Sequence, residues 1–334
     1  MIITRTPFRV SFFGGGTDYP AWYREHGGAV ISGAIDKYCY LLVRHLPPFF
    51  EYRYRIRYAI NENKMTHDEI EHPSVRECMK LLDIKEGIEV VHTADLPAMS
   101  GLGSSSSFTV GLLHALYSLQ GKKIAKQELA ERAIHVEQDR IGEHVGSQDQ
   151  VAAAFGGLNR IGFSKERITV TPLNLSHERV RDLEESLLLF FTGFSRRASE
   201  IAESQVKNIP ERGTELRRMK EMVDEGERIL EKGGLDELGE LLHEAWMLKR
   251  ELSSVVTNPT IDAIYERGRV AGAIGGKLLG AGGGGFMLFY VPKDKKQAVR
   301  VALKELLCVP FRFESKGSHK ILERPSEKYE VFAV

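Results

Sequence analysis

Apolar and polar residues change their spacing several times along the chain. Ile2 to Phe13 alternates loosely, breaks at Gly14-Gly-Gly16 and resumes around Ala29 to Arg44, the period-two pattern of strands. Tyr52-Arg-Tyr-Arg-Ile-Arg-Tyr58 alternates strictly and puts Arg53, Arg55 and Arg57 on one face. It reads most simply as an edge strand kept soluble by charge, with a basic lip beside an anionic substrate as the other reading. Residues 67–83 have helical spacing, with Pro73 splitting them. The pattern predicts a strand over 87–95, helices near 108–119 and 126–141, and a further segment from Val145 to Ala154, ended by Gly156-Gly157. Short strands near 157–163 and 167–172 follow.

Pro172 to Glu185 is polar and charged, so a boundary is placed there, giving domains 1–178 and 179–334. Leu187 to Phe191 then reads as a buried strand. Helices are predicted near 196–208, 211–232, 235–252 and 259–270. In the third of these Leu235, Leu238, Leu241, Leu242, Ala245 and Leu248 recur at helical spacing and form a core stripe. The chain closes as strand 274–279, glycine turn, strand 286–291, helix 295–307 and strand 309–314.

Composition narrows the function. The chain has 334 residues, of which 42% are hydrophobic, enough for one large or two medium domains with a sizeable core. A formal net charge of +0 argues against a nucleic acid or an anionic membrane as partner, so any basic site is local. Cys39, Cys78 and Cys308 are odd in number and lack CxxC spacing, which argues against a disulfide framework or a zinc site and fits a reducing cytoplasm. The first residues read as the start of a strand rather than a signal peptide, and no apolar run is long enough to cross a bilayer.

The chemistry centres on Leu96-Pro-Ala-Met-Ser-Gly-Leu-Gly-Ser-Ser-Ser-Ser-Phe108. Gly101 and Gly103 allow a tight turn and a close approach to a ligand. Ser104, Ser105, Ser106 and Ser107 add hydroxyls and N–H groups, and a following helix would set its positive end at the same place, which suits a phosphate. No Gly-Lys-[Ser/Thr] closes the loop, so it is not a Walker A motif. Gly280-Ala-Gly-Gly-Gly-Gly285 matches the dinucleotide fingerprint GxGxxG, but a strand rather than a helix follows it, and a glycine hairpin fits better.

Together with Arg5-Thr-Pro-Phe-Arg-Val-Ser-Phe-Phe-Gly-Gly-Gly-Thr-Asp-Tyr-Pro20 and Lys277-Leu-Leu-Gly-Ala-Gly-Gly-Gly-Gly-Phe286, this loop resembles the three motifs of the GHMP kinases in order and spacing. The resemblance implies an α+β fold, with an N-terminal domain like ribosomal protein S5 domain 2 and a ferredoxin-like C-terminal domain. ATP and substrate would meet in the cleft between them. ATP would lie on Pro97, Ser100, Gly101, Leu102, Gly103 and the serines, with Gly282, Gly283 and Gly284 in support. Gly146-Ser-Gln-Asp-Gln150 is similar to the segment that carries the catalytic aspartate of galactokinase-type members, which singles out Asp149, with Arg9 beside it. Ala133 to Glu137 is similar to the segment bearing the metal-binding glutamate, and Ser105 is the best match for the serine that completes the Mg²⁺ site.

Gly16, Thr17 and Asp18 match the family's sugar-binding turn. Galactokinase has Gly-Glu-His-Thr-Asp-Tyr where this chain has Gly14-Gly-Gly-Thr-Asp-Tyr19, and the missing acid argues against galactose. The glycine form resembles the heptose 7-phosphate kinase branch, as do His26-Gly-Gly-Ala-Val30, Ala34-Ile-Asp-Lys-Tyr38, His72-Pro-Ser-Val-Arg76 and Phe191-Thr-Gly-Phe-Ser-Arg-Arg-Ala-Ser199. Met99 departs from that branch, which usually has a small residue there, and its bulk is expected to narrow the nucleotide pocket. The implied reaction is transfer of a phosphoryl group from ATP to the anomeric hydroxyl of a heptose 7-phosphate. Arg196, Arg197 and Lys37 are the candidates for the far-end phosphate. A kinase for fucose, galactose or a uronic acid, or a non-catalytic binding protein of the same fold, are the alternatives.

Overall fold

The computed structural model describes residues 1–193 and 198–324. Strand β1 (Ile2–Phe13) enters a glycine turn and the short helix α1 (Pro20–His26), then returns as the long strand β2 (Gly28–His45). The two pair antiparallel from Ile2 opposite Val43 to Phe13 opposite Ile31. A hairpin of β3 (Tyr54–Arg57) and β4 (Asn61–Lys64) leads to α2 (Pro73–Leu81) and β5 (Ile88–Ala94). Next come α3 (Ser104–Leu119), α4 (Lys126–Ile134), a π-helical continuation over His135–Ile141, and α5 (Gln148–Phe155). Strands β6 (Leu158–Phe163) and β7 (Ile168–Pro172) are followed by α6 (His177–Ser186) and β8 (Leu187–Phe191). Four helices come in a row: α7 (Ala198–Asn208), α8 (Gly213–Lys232), α9 (Leu235–Glu251) and α10 (Pro259–Val270). The chain ends in β9 (Gly275–Leu278), β10 (Phe286–Tyr290), α11 (Lys296–Ala302), β11 (Leu307–Cys308) and β12 (His319–Glu323).

Among the described residues these strands form two sheets, and the fold class is α+β. The larger runs β12-β1-β2-β5-β3-β4, with β6 on the far half of β2 and β7 on β6. The smaller runs β11-β8-β10-β9. Helix α3 lies close on the larger sheet: Thr4 Oγ1 donates to the Gly111 carbonyl at 3.0 Å, and a Cβ on Gly111 would stand 2.7 Å from Thr6 Oγ1. The stripe on α9 is core as its spacing predicts, with Leu238, Leu241, Leu242 and Ala245 buried. The main cluster joins both sheets, running from Phe12 and Ile31 through Leu112 to Leu189 and Leu288, so the cleft walls rest on one continuous core.

Several elements differ from their sequence reading, each for a physical reason. Pro73 does not split a helix but begins α2, at the position where a missing N–H costs nothing. Helix α3 starts at Ser104 rather than 108, so the serines are its first turn. The polar stretch before β8 holds α6, capped by the Ser176 hydroxyl accepting from Arg179 N–H at 3.1 Å. Strand β3 is not an edge: it lies between β5 and β4, and Arg55 is buried in an ion pair with Glu89 on β5 at 3.1 Å. Beyond α11 only Leu307–Cys308 joins the smaller sheet, instead of 309–314, and β12 crosses back to pair with β1.

Candidate active site

The loop between β5 and α3 forms one wall of a cavity. Gly101 and Gly103 take positive φ angles of 79° and 77°, a conformation that costs other residues roughly 1–2 kcal/mol. Gly103 is the residue before the first turn of α3, so that turn's N–H groups and the positive helix end lie at the cavity. Gly101, Gly103, Ser104, Ser105 and Ser106 line it. The loop is pinned to β1 by Arg9 N–H donating to the Leu102 carbonyl at 3.0 Å and the Ser107 hydroxyl donating to the Pro7 carbonyl at 2.8 Å. Ser100 is buried, and its hydroxyl has no partner among the described residues. Pro97 is exposed and off the cavity. Met99 does line it, half exposed at 51%, with φ at 55°.

The glycine hairpin after β9 meets the loop through its two ends. A Cβ on Gly280 would stand 2.4 Å from Gly101 Cα, and one on Gly285 2.2 Å from the Ser100 carbonyl oxygen. Gly282 and Gly283 pack instead against Val256, and the Gly283 carbonyl accepts from Asn258 Nδ2 at 3.4 Å. The buried Gly284 is likewise absent from the cavity wall.

Opposite charges converge from β1 and α5. Arg9 holds Asp149 with both arms of its fork, Nε to Oδ1 at 2.7 Å and Nη2 to Oδ2 at 2.8 Å, while Nη1 donates to the Gly101 carbonyl at 2.7 Å. One arginine thus sets the carboxylate and the glycine-serine loop in register. Its side chain is 4% exposed and that of Asp149 25%. Gln148, one residue before Asp149, accepts from the Ser11 hydroxyl at 2.7 Å, a second tie from β1 to α5.

The turn after β1 supplies Gly16 and Asp18 to the cavity. Asp18 is buried; it accepts N–H bonds from Gly16 at 3.0 Å and Gln148 at 3.3 Å, and burial raises its pKa. Thr17 turns the other way: its hydroxyl donates to the Gly14 and Ala29 carbonyls, so it braces the turn rather than facing the cavity.

Glu137 sits in the π-helical continuation of α4, a distortion common at functional sites. It is fully buried. The serine that meets it is Ser106, whose hydroxyl donates to Oε2 at 2.8 Å; Ser105 is exposed in the cavity. Gln150 Nε2 also donates to Oε2, and Oε1 is left without a partner among the described residues. Burial pushes the carboxyl pKa up to about 7. A buried carboxylate with one open oxygen next to serine hydroxyls is a donor set that suits Mg²⁺ shared with phosphate oxygens. No three His, Cys, Asp or Glu gather into a protein cage among the described residues.

The raised pKa has a stability consequence. Because the unfolded carboxyl ionises near 4.5 and the folded one near 7, this group makes stability fall as pH rises between those values and leaves it level above. Glu137→Gln is expected to remove that slope and be more stable than the parent at pH 8, by up to roughly 3 kcal/mol. Urea unfolding of both proteins at pH 5 and pH 8 checks it; equal slopes would sink the assignment.

Two further residues in the cavity wall escaped the sequence reading. Lys249 lay beside a stripe read as core, and Lys277 opened a motif read for its glycines. Both line the cavity, buried to 7% and 3% exposure. Lys37 is elsewhere, its Nζ on the neighbouring Asp36 at 3.1 Å. Arg196 and Arg197 lie outside the described residues.

Residues 73–157 match the family model for the GHMP kinases N terminal domain, and residues 227–307 that for the GHMP kinases C terminal domain. The D-glycero-alpha-D-manno-heptose 7-phosphate kinase of Campylobacter jejuni is 30% identical over 320 residues, covering 91% of this chain and 93% of that one. The bifunctional fucokinase/GDP-fucose pyrophosphorylase of Arabidopsis thaliana is 28% identical over 87% of this chain but only 30% of its own length. The crystal structure of a D-glycero-D-manno-heptose 1-phosphate kinase from Bacteroides thetaiotaomicron superposes with a TM-score of 0.79 over the whole of both chains at 23% identity, a likeness of fold. No helix among the described residues is long and apolar enough to cross a membrane. With both family domains present and a relative matched over nine-tenths of each chain, this chain belongs to the GHMP kinases and is an ATP-dependent sugar kinase.

Proposed function

We propose that the chain transfers the γ-phosphoryl group of ATP to the anomeric hydroxyl of a heptose 7-phosphate, giving heptose 1,7-bisphosphate and ADP. The observation that carries the chemistry is the Arg9–Asp149 pair locked to the phosphate loop through the Gly101 carbonyl. The match to the C. jejuni kinase supports the choice of sugar. The sugar oxygen forms the new bond to the γ-phosphorus as the bond from that phosphorus to the bridging oxygen breaks, and ADP leaves with the electron pair. The hydroxyl proton goes to the Asp149 carboxylate, a modest demand because an anomeric hydroxyl is more acidic than an ordinary alcohol. Gly16 and Asp18 hold the sugar. The N–H groups at the start of α3 cradle the phosphates, so positioning and fixed dipoles supply most of the rate. Glu137, with Ser105 and Ser106, would hold Mg²⁺, which neutralises phosphate charge when bound. Arg196 and Arg197 remain our proposed partners for the 7-phosphate.

The test is ADP release from Mg-ATP with D-glycero-D-manno-heptose 7-phosphate, mannose 6-phosphate, fucose, galactose and galacturonate in turn. Turnover confined to the heptose phosphate is expected. Turnover on fucose, the sugar named for the Arabidopsis relative, or on another free sugar would discard the heptose assignment and keep the kinase.

A further inference from the structure

The two buried lysines are unusual in what they touch. Lys249 Nζ, from α9, donates to the Leu278 carbonyl at 2.8 Å and to the Gly280 carbonyl. Lys277 Nζ, from β9, donates to the Phe12 carbonyl at 2.8 Å. Among the described residues neither has a carboxylate partner, and each retains N–H donors beyond those used, since an ammonium carries three. Burying an ammonium costs several kcal/mol unless an opposite charge compensates it.

The cavity wall holds that charge only in part, through the field of Asp18. It carries Arg9, Lys249 and Lys277 against Asp18 and Asp149. Arg9 takes both oxygens of Asp149, and the polar contacts of Asp18 are to main-chain N–H groups. With both ammoniums protonated, the wall is one positive charge in excess. Burial is the main reason both lysines hold their protons less tightly, with Lys277 brought down to about 7; the neighbouring cations add to it and Asp18 partly offsets it. An arriving dianion would reverse that effect.

We infer that Lys249 and Lys277 together form a seat for a phosphate group in the wall contributed by α9 and β9. The identity of the anion rests on the kinase reading: ATP's γ-phosphoryl group and a phosphate ester on the sugar both present this chemistry. The seat abuts the phosphate loop, because the Gly280 carbonyl that Lys249 holds belongs to the residue that packs on Gly101.

Lys249→Gln and Lys277→Gln remove the charge and keep an N–H for the carbonyls. Calorimetry on the full chain with inorganic phosphate is expected to show binding at least tenfold weaker in either variant. Mg-AMP-PNP against Mg-ADP, and D-glycero-D-manno-heptose 7-phosphate, then assign the source: a matching loss for AMP-PNP alone places the γ-phosphoryl group in the seat, and one for the sugar phosphate places its ester there. Variants that melt like the parent and bind inorganic phosphate equally well would overturn the seat, leaving the lysines as braces for carbonyls. If the substitutions unfold the chain, NMR of the parent labelled with ¹³C at lysine Cε decides. Resonances of the two buried lysines that move on adding phosphate support the seat, and resonances unmoved at saturation overturn it. A failed sugar panel does not touch the inorganic phosphate arm, so the two readings fail separately.

Discussion

Replacing Asp149 by asparagine is expected to lower kcat by roughly 10²–10⁴-fold, the usual contribution of a positioned general base. The substitution keeps size and one acceptor but removes the group proposed to take the hydroxyl proton. The KM for ATP should change little, because Arg9 still donates to the Gly101 carbonyl through Nη1 and the loop remains pinned by its contacts to β1. Some stability is expected to go as well. Arg9, 4% exposed, exchanges a bidentate carboxylate for a neutral amide, and hydrogen bonds to a charged group contribute about 1.5–3 kcal/mol. Steady-state kinetics at a temperature where the variant is fully folded separates the effects. A kcat within threefold of the parent would reduce Asp149 to an anchor for Arg9.

The second large effect is expected from a single methyl group on the glycine hairpin. Gly280→Ala would place Cβ 2.4 Å from Gly101 Cα and 2.9 Å from the Gly101 carbonyl oxygen, with φ at 72°. The obstacles are backbone atoms, so no side chain can swing aside. The loop must move, and the carbonyl that moves is the one Arg9 Nη1 holds. Displacements of about 1 Å at a reacting centre cost on the order of 10²-fold. A fall of at least that size in kcat/KM for ATP is expected. Gly142→Ala is the control: φ is 80° and nothing lies within 4 Å of its Cβ, so it carries the backbone strain without the collision. If the two variants lose activity equally, contact between hairpin and loop is not what shapes the nucleotide site.

What could be read from the sequence was what repeats or turns locally. The alternation of β1 and β2, the α9 stripe and the three glycine-rich motifs all declared themselves, because strand period, helix period and turn chemistry each act within a few residues. The pairing of Arg9 with Asp149 came through resemblance, not through spacing, since 140 positions separate them. Two of the misreadings trace to partners distant in sequence. Arg55 looked like a solvated residue because Glu89, which neutralises it, lies on another strand. Helix α6 looked like a linker because Leu183, its fully buried apolar side chain, is surrounded in sequence by charge. Motif position points to Ser105, and the start of α3 at Ser104 turns Ser106 towards Glu137 as well, a contact that motif position does not show. The two lysines were invisible for a simpler reason: charge in a sequence is presumed wet, and only the fold takes these two out of water.

The return of β12 to β1 bears on how the protein is made. Ile2 and Ile3 face Glu323 and Leu322, and the Met1 amine donates to the Arg324 carbonyl at 2.7 Å. During synthesis the outer edge of β1 at Ile2 to Arg5 waits for β12, more than 300 residues later, before it is covered. At about 5–20 residues per second that edge stays open for roughly a quarter of a minute or longer. The same strand carries Arg9 four residues further on, so shelter for its open end on the ribosome protects the strand on which the site is built.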